Sequence, residues 1–142
     1  MQAVHFEETL EKLIAADPRY HREAYQFVRE ALDHTHERLG KANKGALRHV
    51  TGQELLEGIR SYGLEQFGPM TFTVLTEWGV RRPADFGEIV FNMVAAGLLG
   101  KTERDRREDF AGGYDFHEAF CRPYLAAAKA QTPLPEPKPS QV

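Results

Sequence analysis

A chain of 142 residues, 42% hydrophobic and 27% charged, has the makeup of one globular domain and is long enough to bury a core without staples. A net charge of -3 excludes a globally basic nucleic-acid binder and leaves only local basic patches to consider. The single cysteine, Cys121, excludes a disulfide scaffold within the chain and a multi-cysteine zinc site.

The first residues, Met1 to Glu8, have no basic leader and no long apolar stretch, so no signal peptide is expected there. Phe6, Leu10, Leu13 and Ile14 then share one helical face opposite Glu7, Glu8, Glu11 and Lys12, which predicts a helix from about Phe6 to Ala16. Asp17-Pro18 reads as the cap and first position of a second, longer helix that ends near Leu39. Its apolar stripe is Tyr20, Ala24, Phe27, Val28, Ala31, Leu32, Thr35 and Leu39. Gly40 ends this helix, and Lys41 to Gly45 reads as a polar, mobile connector.

Thr51-Gly52-Gln53-Glu54 has the form of a capping box, with Val50 and Leu55 placed to staple the start of a third helix running to about Phe67. Gly58 and Gly63 inside that helix suggest close approach of another segment, because glycine there costs about 1 kcal/mol against alanine. Gly68-Pro69 separates it from a short fourth helix ending at Trp78. Gly79 is a left-handed stop there, with Val80 folding back on Leu75. Pro83 opens a fifth helix through Phe86, Ile89, Val90, Met93 and Val94, closed by Gly97. Leu98 to Lys101 is predicted as a short strand, followed by a mixed-charge stretch, a turn at Gly112-Gly113, and a last helix from Phe116, kinked or restarted at Pro123, to about Lys129. Ile89 to Leu99 is too short and too interrupted to cross a bilayer. Pro133, Pro135, Pro137 and Pro139 mark residues 131–142 as an extended, disordered tail behind a single helical domain at 1–130.

The expected fold is therefore a mainly α, compact, single-domain helical fold. The fourth and fifth helices resemble a winged-helix-like corner, with a short β-hairpin near residues 98–116 as the wing. A DNA-reading helix needs long polar or basic side chains toward base edges, whereas the fifth helix opens with Asp85 and Glu88 and offers only Asn92. Direct readout by this element is not favoured. Basic residues elsewhere are the candidates for contact with nucleic acid or an acidic partner. They are Arg38, Lys41, Lys44 and Arg48 around the connector, Arg81 and Arg82 ahead of the fifth helix, and Arg106 and Arg107 in the wing. To act together they must share a face.

Glu30, His34 and Glu37 stand at i, i+4 and i+7 on the second helix, a carboxylate–imidazole set able to take a divalent transition metal if a fourth ligand comes from elsewhere. An exposed charged face is the plainer reading of the same spacing. Cys121 lies four residues after His117, close enough for a thiol–imidazole contact, though a small packed thiol explains it as well. No phosphate-binding glycine loop, nucleophile elbow or zinc-deaminase pattern occurs, and no cofactor is expected. Phe67, Trp78, Phe86 and Phe91 read as core.

The segments His49 to Leu56, Phe67-Gly68-Pro69, Val74-Leu75 with Trp78-Gly79-Val80, Asp85 to Val94 with Gly97-Leu98-Leu99, and Asp109-Phe110 with Tyr114-Asp115-Phe116 and Ala119-Phe120 together resemble an uncharacterised bacterial family of unknown function, best known from planctomycete and verrucomicrobial genomes. The resemblance spans about Phe6 to Phe120 and departs at Gly112-Gly113. It implies a compact helical fold and carries over no activity, cofactor or catalytic residue. The combined expectation is a cytoplasmic, non-catalytic protein-interaction module that binds a protein partner or itself, away from any membrane. Nucleic-acid binding and a helix-borne metal site are the alternatives.

Overall fold

A computed structural model describes residues 2–42, 50–99 and 108–124. They form α1 (Gln2–Ala16), α2 (Arg22–Ala42), α3 (Gly52–Phe67), a 3-10 turn (Gly68–Met70), α4 (Thr71–Glu77), α5 (Pro83–Ala95), α6 (Glu108–Ala111) and α7 (Phe116–Phe120). The protein is mainly helical, and no strand occurs among the described residues. Among these residues no helix is long and apolar enough to cross a membrane.

α2 and α3 form the central seam. Gly58 lies directly against Thr35, whose hydroxyl turns back to donate to the Ala31 carbonyl at 2.7 Å. A Cβ at Gly58 would overlap that hydroxyl, so the missing side chain is what lets the two helices close. Around this seam Phe27, Val28, Ala31, Leu55, Leu56 and Ile59 merge with Phe86, Ile89 and Met93 of α5 into one continuous core. Phe110, Phe116 and Phe120 seal its other side, and Tyr114 donates its hydroxyl to the Leu56 carbonyl at 2.8 Å.

Local sequence signals account for most helix ends. The α3 capping box forms as read: Glu54 N–H donates to the Thr51 hydroxyl at 3.1 Å, and Thr51 N–H donates to the Glu54 carboxylate at 3.0 Å. Behind α4, Val80 N–H reaches back to the Leu75 carbonyl at 2.9 Å and Gly79 N–H to that of Thr76 at 3.0 Å, the double closure expected of a left-handed glycine stop.

Three expectations are corrected. Asp17-Pro18 does not start α2. The Asp17 carboxylate is occupied by the Arg19 guanidinium, and the chain turns through residues 18–20 so that the Tyr20 ring enters the core. α2 begins only at Arg22, where His21 Nδ1 accepts the Glu23 N–H at 3.0 Å. The winged-helix-like corner and the hairpin near 98–116 are not supported either, since the described residues at 98–99 and 108–116 form no strand. Leu98 N–H donates to the Met93 carbonyl at 2.8 Å, so this backbone closes α5 instead of entering a ladder. Phe110 is drawn onto α6 and into the core, where a wing strand would have been. α2 also runs past Gly40 to Ala42, into the expected connector; residues 100–107, 43–49 and 131–142, and with them most of the wing, the rest of the connector and the proline tail, lie outside the described residues.

Candidate functional site

Side chains from separate segments converge at one corner, where the α1–α2 turn docks on α5. Asp17 accepts two hydrogen bonds from the Arg19 guanidinium, from Nε at 2.9 Å and Nη2 at 2.7 Å. Asn92 of α5 donates from Nδ2 to the Asp17 carboxylate at 3.0 Å and to the Tyr25 hydroxyl at 3.1 Å. Arg19 extends to Glu88 at 3.3 Å and lies over the Tyr20 ring, 5.1 Å from its centroid. Tyr20 in turn donates to the buried Asp85 at 2.7 Å, and Asp85 also accepts the Arg81 N–H at 2.9 Å. Every buried acceptor here has a donor, the condition under which a polar network fixes one geometry.

The electrostatics follow from these partners. Hydrogen bonding to Arg19, helped by Asn92, holds the Asp17 carboxyl well below the usual carboxylate range, against a smaller opposing effect of burial. Burial pushes the Tyr20 phenol far up, and its bond to Asp85 adds to that, because the phenol must stay protonated to donate. Burial likewise raises Tyr25 and, most strongly, Tyr114. None of these shifts prepares a nucleophile or a base. They hold donors as donors and the carboxylate as an acceptor.

The same docking leaves an open groove of about 570 Å³ between the end of α1, the turn, and the end of α4. Ile14, Tyr20 and Trp78 line its apolar part, and Glu11, Arg19, His21, Arg22 and Glu77 its charged part. Its position depends on Gly79. There φ is +90, and a Cβ would overlap the Arg19 carbonyl oxygen. His21 N–H donates to the Trp78 carbonyl at 3.0 Å and ties the two walls together. Trp78 is held from behind by Phe27 and Phe67, with ring centroids 5.7 and 5.8 Å away.

The residues singled out from the sequence fall elsewhere. Arg81 and Arg82 are exposed in the turn before α5, and Arg82 comes only within 4.0 Å of Asp85. Arg38 is exposed near the far end of α2, roughly 25 Å along the helix axis from His21 at the rise of an α-helix. The Tyr20–Asp85–Arg81 link fixes Arg81 at the start of α2, so Arg38 and Arg81 mark opposite ends of that helix. Lys41 stands in the last turn of α2 with its side chain outside the described set, and Lys44, Arg48, Arg106 and Arg107 lie outside the described residues. α5 is not presented as a reading helix: from Pro83 to Ala95 only Ala95 is exposed. Asp85 is turned inward to Tyr20, and Asn92 to Asp17 and Tyr25.

The carboxylate–imidazole set on α2 is dispersed. Glu30 accepts from Tyr62 at 3.0 Å and from Gln26 at 3.0 Å, while the His34 ring packs against Tyr62 at 5.2 Å and Glu37 is exposed. Among the described residues no three His, Cys, Asp or Glu side chains are grouped to hold a metal ion. His117 meets Phe72 edge-on at 6.5 Å, and Cys121 is half-buried.

Sequence reading missed the Asp17–Arg19–Asn92 lattice. The available signal was Asp17 two residues before Arg19 beside a proline, the composition of a side-chain-stabilised turn as much as of a helix cap. Comparison of the chain with protein-family models, with curated proteins and with solved structures found no match.

Proposed function

We propose that this chain is a non-catalytic protein-interaction module that receives a segment of a protein partner in the groove at the α1–α2 corner. The observation that carries the reading is the groove's makeup: an apolar floor of Ile14 and Trp78 inside a charged rim, with walls locked by hydrogen bonds. A protein interface has that anatomy, with an anchor on the apolar centre and a polar surround. A small-molecule site instead encloses most of its ligand, which an open groove does not do. Locked walls also favour binding, because little order has to be imposed when the partner arrives.

The test places a photo-crosslinking amino acid at Glu11 or at Glu77, and in a control at the exposed Glu65 of α3 away from the groove, in the full chain within native-cell extract. The expected result is one identified partner attached at both groove positions and absent at the control. Equal labelling at all three positions, or none at the groove, would refute the assignment.

A further inference from the structure

The charges around the groove are unequally matched. Arg19 is bound to Asp17 and Glu88, and Arg22 is paired with Glu7. Glu11 and Glu77 line the groove, both exposed, and neither has an ion pair or hydrogen bond among the described residues. Of the four fixed charges that line the groove, Arg19 and Arg22 are thus each engaged by a neighbouring carboxylate, which leaves Glu11 and Glu77 as the unmatched ones among the described residues. Arg81 and Arg82 follow Val80 and do not line the groove. His21 Nδ1 is taken up by the Glu23 N–H.

We infer that the groove takes a basic segment of a partner polypeptide, with an arginine or lysine side chain seated between Glu11 and Glu77 against Trp78. The inference rests on the groove being the docking face. Trp78 supports it independently of the carboxylates, since its ring lines the groove with an orientation fixed by Phe27 and Phe67, and an indole is the best aromatic partner for a cation. A long basic side chain also suits the shape: its methylenes cover Ile14 and Trp78 while its head meets the rim. Nucleic acid would bring phosphates to two unmatched carboxylates and be repelled. Because the groove is open, binding of a short peptide is weak and salt-sensitive.

The full chain, labelled for amide and indole NMR, is titrated with the peptide acetyl-Gly-Arg-Leu-Arg-Gly-amide and with its citrulline counterpart, which keeps shape and loses charge. The expected result is progressive shifts of the Trp78 indole and of the Ile14, His21 and Gly79 amides. Binding should be at least tenfold weaker for the citrulline peptide and for the double variant Glu11→Gln with Glu77→Gln, and unchanged in Glu65→Gln. Both groove carboxylates are exposed and unpaired among the described residues, so the double variant keeps its fold, checked by its melting temperature. Equal response to the two peptides, or shifts confined to another surface, overturns the inference. Crosslinks at positions 11 and 77 to a partner segment without arginine or lysine overturn it too, yet leave the docking face standing. Absence of groove crosslinks removes both.

Discussion

The two places where α2 meets the rest of the molecule are built on opposite principles. Along the middle of α3 the seam is steric: Gly58 admits Thr35 among apolar neighbours, with the Tyr62–Glu30 hydrogen bond at its edge. At its start α2 is set by hydrogen bonds, with Tyr20 to Asp85, Asn92 to Tyr25 and Asp17, and Arg19 to Asp17 and Glu88. Steric closure leaves no room for a ligand. A polar lattice holds backbone segments at a set distance, and beside it the groove stays open. The contrast places steric closure in the first region and an open groove in the second.

The largest expected effect separates the two through their glycines. Gly79→Ala puts a left-handed strain and a backbone overlap at the same position and should cost about 3 kcal/mol. Gly58→Ala meets only the Thr35 side chain and gains helix propensity, so it should cost about 2 kcal/mol and be partly rescued by Thr35→Ala. Urea unfolding with unchanged m-values checks both. A neutral Gly58→Ala would break the view of the α2–α3 seam as close-packed.

Next in size is the lattice. Tyr20→Phe removes a bond to a buried carboxylate that keeps the Arg81 N–H and the more distant Arg82 guanidinium, and should cost about 1.5 kcal/mol. The phenol's ionisation lies well above its ordinary value in the folded chain, so its contribution is complete below the unfolded phenol's range, about pH 10, and is lost as pH rises beyond it. The gap between wild type and Tyr20→Phe in thermal melts should therefore be constant near neutrality and narrow in alkali. A gap that persists unchanged at high pH would mean that the ring, not its hydroxyl, holds the corner.

The smallest effect is at Asp17. A carboxyl held below its ordinary range stabilises the fold above the unfolded carboxylate's range, near pH 4, and that contribution disappears as pH falls through the lower, folded range. Asp17→Asn should thus lower stability at pH 7 by under about 1 kcal/mol, since Arg19 is half exposed, and the difference should vanish in acid. A difference of opposite sign at pH 7 would show that the lattice is not set by this charge.

The sequence by itself determined the helices, because their causes are local: apolar spacing at Phe6–Ile14, the Thr51–Glu54 box, Pro83 at a first turn, Gly79 as a stop. It could not decide what depends on partners far along the chain. Asp17 could cap a helix or accept Arg19, and Asn92, 75 residues away, completed the second arrangement. Leu98 could extend into a strand or fold back on Met93, and the core position of Phe110 favoured folding back. Two exposed glutamates on different helices became one groove only when the turn after Trp78 closed on the Arg19 carbonyl. Short-range sterics and backbone hydrogen bonds are written in neighbouring residues, whereas a groove made of side chains from α1, the α1–α2 turn and the end of α4 exists only after those segments have packed.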